Sequence, residues 1–113
     1  MVSSADRERL GHILDAIDKI EGVVDGIQID HFRDDWQKRL LVERLLEIIG
    51  EAANRISIEC QDQYSQVPWT QMRAMRTFIS HEYFRIDVGV LWDTATESIP
   101  ALRSDIEEIL YGK

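Results

Sequence analysis

Between Met72 and Tyr83 the chain reads MRAMRTFISHEY, which sets Arg76 five residues before His81, with Tyr83 two further on. An arginine grips phosphate through a planar fork that stays charged at any cellular pH. A histidine gives or takes a proton near pH 7. Together they suffice for breaking an RNA phosphodiester without a metal ion. The 2′-hydroxyl attacks its neighbouring phosphate, with His81 as general base or as acid toward the leaving oxygen. Arg76 stabilises the charge that grows on the phosphoryl oxygens. Ser80 and Tyr83 can hydrogen-bond phosphate or ribose, and Arg73 and Arg85 extend the positive patch on either side.

Geometry restricts how this set can work. On a regular helix Arg76 and His81 stand about 140° apart, whereas Arg76, Ser80 and Tyr83 share a face. Either the helix frays at Ser80, or a twofold homodimer juxtaposes two copies of the segment. The second arrangement makes a symmetric cleft with two arginines and two histidines. Against this stands a plainer reading, because an arginine and a histidine five apart are common by chance. His81 then caps helix carbonyls, and Arg76 pairs with Glu82 or Glu43.

The elements that must position these residues read as helices. Ser3 or Ser4 can cap a first helix, with Asp6 and Glu8 in its electropositive first turn. Its apolar stripe is Leu10, Ile13, Leu14, Ile17, Ile20 and Val24, at spacings of three and four. Gly22 and Gly26 bracket the break that follows. Asp30 is the expected cap of a second helix from about Phe32 to Ile56, with Asp34 and Asp35 early in it. Its inward residues are Trp36, Leu40, Leu41, Leu45, Leu46, Ile48, Ile49, Ala52, Ala53 and Ile56, a stripe wide enough for the central helix of a bundle. Gly50 costs about 1 kcal/mol there relative to alanine, and a close helix crossing would account for it.

Residues 61–67 are polar and read as a connector. Pro68 suits the first turn of a third helix that carries Trp69, Met72, Met75, Phe78 and Ile79 inward and ends near His81 to Phe84. Asp87 caps a fourth helix with Val88, Leu91, Trp92, Ala95 and Ile99 on one face. Pro100 marks the start of a short last helix holding Leu102, Ile106, Ile109 and Leu110. The expectation is one all-α domain over residues 1–113: a four- to five-helix up-and-down bundle, homodimeric if two copies of the signature segment meet as above.

Composition narrows the function. A formal net charge of −8 excludes a general nucleic-acid binder, so any RNA contact must use a local basic patch. Cys60 is the only cysteine, which rules out an internal disulfide and fits a reducing cytoplasm. No apolar run has membrane length and no basic-apolar leader opens the chain, so a cytoplasmic protein with no membrane partner is expected.

Other clusters carry rival chemistry. Glu43, Glu47 and Glu51 place three carboxylates along one helical face, a pattern open to divalent metal and nucleotide pyrophosphate hydrolysis. No Glu-x-x-His pair accompanies them, His12 and His31 are scattered, and Lys38, Arg39 and Arg44 lie within pairing distance along the helix. A solvated or interfacial face is the better reading. Trp36, Trp69 and Trp92 read as core, one per helix, and Cys60 as a passive residue with no histidine close in sequence.

Leu46 to Ile56 (LEIIGEAANRI), Pro68-Trp69, Met75 to Phe84 (MRTFISHEYF) and Ile86-Asp87 together resemble the HepT-like toxins of the HEPN superfamily of helical ribonucleases. The likeness runs over nearly the whole chain, and the RxxxxHxY signature falls on Arg76, His81 and Tyr83. The resemblance implies a dimeric helical bundle acting as a metal-independent endoribonuclease that needs no cofactor. It also implies the toxin role in a toxin–antitoxin pair whose partner is a small nucleotidyltransferase of the MntA type. In such pairs the antitoxin attaches AMP to the signature tyrosine, here Tyr83. Added phosphate beside Arg76 and His81 would neutralise the patch and repel RNA. One departure is Thr77, where the superfamily often has Asn, Asp or His. The alternative from a different class is a noncatalytic helical adaptor that binds a nucleotide or a protein and retains the signature as a relic.

Overall fold

The computed structural model describes residues 2–76 and 87–112. Among these residues every regular element is helical and there is no strand, in keeping with the all-α expectation.

Helix α1 spans Ser4–Val24. Ser3 is its cap, its hydroxyl accepting the Asp6 N–H at 3.1 Å. Leu10, Ile13, Ile17 and Ile20 are fully buried, as their spacing predicts. The helix runs through Gly22 without interruption and turns only at Gly26, whose φ of 72° lies in the left-handed region.

The expected second helix is two helices. Helix α2 covers Ile29–Asp34 and helix α3 covers Trp36–Asn54. Asp35, not Asp30, caps the long one: its carboxylate accepts the Gln37 and Lys38 N–H groups, each at 3.1 Å. To do so Asp35 leaves helical geometry, with φ −106° and ψ 93°. That break resets the helical phase between Phe32 and Trp36. Phe32 goes into the core and meets Trp92 ring to ring at 5.3 Å. Trp36, four residues on, does not follow it. Trp36 is 59% exposed, Leu40 54% and Leu41 52%, which corrects the reading of all three as inward-facing. From Leu45 onward the stripe is largely as expected, with Leu46, Ile49 and Ala53 fully buried and Ile48 half-buried, while Val42, outside the expected stripe, is fully buried as well.

A further helix, α4, Ile58–Gln63, begins before the stretch expected to be a polar connector and runs into its first three residues. Ser57 caps it by accepting the Cys60 N–H at 3.1 Å. Ser57 is held in turn by Asp6, which accepts its N–H at 3.0 Å and its hydroxyl at 2.6 Å. The buried Asp6 carboxylate therefore ties the start of α1 to the start of α4. Helix α5, Trp69–Ala74, follows Pro68 and buries Trp69 and Met72. The Trp69 indole N–H donates to the Tyr64 carbonyl at 3.0 Å.

Asp87 caps helix α6, Val88–Asp93, accepting the Gly89 N–H at 2.8 Å and the Val90 N–H at 3.3 Å. The chain then continues through a π turn, Thr94–Ser98, directly into helix α7, Ile99–Tyr111. Pro100 stands in the first turn of this last helix, as its position suggested, although the chain reaches it through the π turn without a loop. A proline ring clashes with the carbonyl four residues back, and the wider π turn gives it room. The Thr94 and Thr96 hydroxyls donate to the Val90 and Trp92 carbonyls, each at 2.8 Å. Gly112 closes α7 in the left-handed conformation at φ 73°.

The core forms where α1 packs along α3, with α7 lying against α1 and α5 against α3. Arg103 of α7 reaches α1, donating from Nε to Glu21 at 2.9 Å and bonding Asp18 as well. No helix among the described residues is long and apolar enough to cross a membrane.

Candidate functional site

Of the expected catalytic pair, Arg76 is described, at the end of α5 where it meets helix α3. At Gly50 the two backbones nearly touch: a Cβ placed there would lie 2.3 Å from the Arg76 backbone nitrogen and 2.8 Å from the Arg76 Cβ. Only a residue without a side chain permits this approach. The close crossing expected from Gly50 is thus found, and what it crosses is the signature arginine.

Regular α geometry in α5 closes at Ala74. The next two N–H groups bond three residues back, Met75 to Met72 at 3.1 Å and Arg76 to Arg73 at 3.3 Å. Arg76 therefore sits on a tightened turn at the end of α5. Arg76 is half-buried.

Arg73 is engaged elsewhere. Its guanidinium donates to the Gln61 side-chain oxygen at 2.6 Å and to the Thr70 hydroxyl at 3.1 Å. Gln61 also donates to the Ile56 carbonyl at 2.9 Å, so this network fastens α5 to α4. Arg73 positions the turn that carries Arg76. The remaining site expectations, Ser80, His81, Tyr83 and Arg85, lie outside the described residues, as do Thr77 and the expected helix end at His81 to Phe84. The described chain resumes at Asp87, whose carboxylate anchors α6.

The glutamate row is partly neutralised by its own helix. Glu47 accepts from Arg44 at 2.6 Å. Burial pushes the Glu43 carboxyl above its usual range, and Arg39 opposes that shift. Among the described residues no group of three His, Cys, Asp or Glu side chains converges on a metal position. Cys60 is buried, and burial first, then the Asp6 charge, push its thiol up, so it is protonated and unreactive at neutral pH.

One feature escaped the sequence reading. A groove of about 570 Å³ runs between α1 and α3, lined by Arg9, His12, Arg44 and Arg55 with Glu8 and Glu51 among them. It flanks the side of α3 turned away from Gly50, since Ile48 on its wall stands about 160° round the helix from Gly50. The signal was the three- and four-residue spacing of Arg9, His12 and Ala16 beside the apolar stripe.

Residues 13–109 match the model of a family described as "HepT-like: Ribonuclease HepT-like". The chain belongs to the HepT-like family. The chain is similar to "Probable ribonuclease HepT" of Thermococcus cleftensis, with 37% identity over 103 residues, covering 91% of this chain and 94% of that protein. It is 36% identical over 104 residues to a "Putative RNase" of Caldanaerobacter subterraneus subsp. tengcongensis, covering 92% and 93%. In Methanocaldococcus jannaschii, a protein named "Gamma-glutamylcyclotransferase and putative RNase" is 32% identical over 102 residues. The match covers 89% of this chain but only 46% of that one, so a HepT-like unit also occurs inside a longer polypeptide. No solved structure matches the chain. The matched span includes α3, Gly50 and Arg76, so the backbone contact described above lies within the HepT-like unit.

Proposed function

We propose that this HepT-like chain is a metal-independent endoribonuclease whose site is completed across a homodimer. The observation that carries the reading is the seating of Arg76 against Gly50, within a chain that matches a ribonuclease family over residues 13–109. Packing at Gly50 fixes the point from which the Arg76 side chain leaves the main chain, and in this reading its guanidinium meets the phosphoryl oxygen from that fixed origin, as preorganised charge stabilisation requires.

In the reaction, His81 accepts the 2′-hydroxyl proton as that oxygen bonds to phosphorus. The bond from phosphorus to the 5′ oxygen breaks, and a second proton goes to the departing oxygen from the other imidazole of the dimer. The products are a 2′,3′-cyclic phosphate and a 5′-hydroxyl. Arg76 neutralises the charge on the non-bridging oxygens, while Ser80, Tyr83 and Arg85 hold phosphate or ribose.

The biological role we propose is the toxin of a toxin–antitoxin pair in the cytoplasm, silenced when an MntA-type nucleotidyltransferase transfers AMP to Tyr83. The tyrosine oxygen bonds to the α-phosphorus of ATP and pyrophosphate leaves. The attached phosphate then competes with RNA for Arg76 and His81.

Purified protein should cleave RNA in the presence of EDTA, and Arg76→Ala and His81→Ala should each abolish cleavage and growth arrest while remaining folded. A variant as active as the parent would exclude that residue from the site. Co-expression with the nucleotidyltransferase should add one adenylate mass to the peptide containing Tyr83. An unmodified peptide under complete neutralisation would point to steric inhibition.

A further inference from the structure

Along α5 and its cap, Pro68, Gln71, Met72 and Met75 follow one another at spacings of three, one and three, which makes them one stripe of the helix. Thr94, Ser98 and Leu102 repeat every four residues through the π turn and into α7 and make a second stripe. The two stripes bound a pocket of about 310 Å³. Thr94 and Ser98 are the first and last residues of the π turn, so that turn forms one rim. A π turn is wider than an α turn and is frequent where a protein binds a ligand.

The walls suit a flat, uncharged group with a hydrogen-bonding edge. None of the described residues that line the pocket is charged, in a chain where 30% of residues are. A phosphate has no cation to meet inside it. Met72 and Leu102 are buried and supply apolar wall, and the thioethers of Met72 and Met75 suit contact with an aromatic ring. Gln71 and Ser98 are exposed at the mouth. Among the described residues, the Gln71 amide and the Ser98 hydroxyl take part in no side-chain hydrogen bond. The Thr94 hydroxyl donates to the Val90 carbonyl at 2.8 Å and is left as an acceptor. Apolar walls with a few convergent polar groups are the usual make-up of a small-ligand site, and this volume lies at the lower end of such sites. One ring system fits that space better than a whole dinucleotide.

Position indicates which ring. Met75 on the pocket wall immediately precedes Arg76, with Cα atoms ~3.8 Å apart. The backbone of Arg76 is in turn fixed against Gly50. A nucleotide whose phosphate meets the arginine carries its base one ribose away, and the uncharged wall begins one residue away. The Gln71 amide offers a donor and an acceptor side by side, the complement of the N6 and N7 edge of adenine. Unstacked bases of single-stranded RNA present that edge freely.

We infer that the pocket between α5 and the π turn takes an adenine base of the RNA, beside the phosphate that Arg76 holds, with Gln71 and Ser98 reading its edge. The inference rests on the ribonuclease reading above and adds to it a base preference at the cut.

The test uses the full chain and single-stranded RNAs that differ only in the two bases flanking one cleavable linkage. Adenosine is titrated separately onto protein labelled at its methionine methyl groups. The parent should favour adenine at one flank by about tenfold or more, the discrimination of a single bidentate pair. Gln71→Leu and Ser98→Ala should each reduce that preference several-fold, and both positions are exposed, so the fold should be retained. Gln71→Glu can only accept and should turn the preference toward cytosine. Adenosine should shift the Met72 and Met75 methyl resonances in the parent but not in Gln71→Leu. A parent indifferent to both flanking bases, or variants that keep its preference for adenine, would overturn the inference and leave the nuclease standing. A parent that cleaves no RNA yet shows the adenosine shifts would uphold the pocket and refute the ribonuclease reading. Neither cleavage nor shifts would refute both.

Discussion

Gly50 and Arg76 touch backbone to backbone, and a single added carbon at residue 50 would stand 2.3 Å from the Arg76 nitrogen. The sign of a substitution follows. In an open helix alanine is favoured over glycine by about 1 kcal/mol. Here the obstacle is main chain, which cannot swing aside as a flexible side chain would. Gly50→Ala should therefore destabilise by roughly 1–3 kcal/mol, the usual cost of overpacking. It should also impair RNA cleavage by displacing Arg76. Thermal unfolding beside a cleavage assay checks both, and a stabilised variant would mean the helices are further apart than described.

Arg76 should tolerate no replacement that keeps only charge. A lysine offers a point charge, not a planar fork that spans two phosphoryl oxygens. Arg76→Lys should lower kcat for RNA cleavage by ~10²-fold or more, the scale seen when one charge-stabilising donor is lost. KM should change much less. A loss confined to KM would assign Arg76 to substrate binding alone.

Much of this arrangement was legible because its signals are local. Ser3 and Asp87 cap the helices they precede, Pro68 stands immediately before α5, and a glycine among good helix formers announced a close neighbour. The α2–α3 boundary was ambiguous since Asp30, Asp34 and Asp35 are all suitable caps. The break at Asp35 sets Trp36 apart from the phase of Phe32, whereas Leu40 and Leu41 share α3 with the buried Ile49 and only their apolar character suggested burial. Helix α4 stayed hidden for a different reason: its cap, Ser57, is held by Asp6, 51 residues away, and no local pattern records such a tie. At the site, Gly50 and Arg76 were each conspicuous in sequence. Only packing shows that they are one feature.

The Asp6–Ser57 tie predicts a pH dependence. Burial disfavours the Asp6 charge, but hydrogen bonds from the Ser57 hydroxyl and N–H and the Asp6–Ser3 contact outweigh it, with help from Arg9, and hold the carboxyl below its ordinary value. A depressed folded-state value means the ionised form stabilises the fold. That stability is complete above the unfolded value, ~3.9, and is lost as pH falls through the lower folded value. Asp6→Asn should be less stable than the parent at neutral pH by about 1–3 kcal/mol, because it leaves buried partners poorly satisfied. The gap should narrow on acidification below pH 4. Denaturant midpoints measured from pH 2.5 to 7 would reveal this, and a constant gap would exclude Asp6 as the titrating group.

Arg103 is the principal polar link between the last helix and the first. It bonds Glu21 and Asp18 of α1 and lies 3.5 Å from Glu107 on its own helix. These carboxylates raise its already high pKa further, so it remains charged at every pH the protein survives. Its side chain is 26% exposed, and a partly buried network of this kind contributes more than a lone surface pair. Arg103→Met keeps much of the aliphatic stem but removes the charge, leaving Asp18, Glu21 and Glu107 to repel one another. It should cost about 1 kcal/mol at low salt. Added salt screens that repulsion, so the deficit should shrink toward 1 M sodium chloride. Melting temperatures of parent and variant across a salt series test this; a deficit that salt leaves unchanged would mean Arg103 acts through packing, not charge.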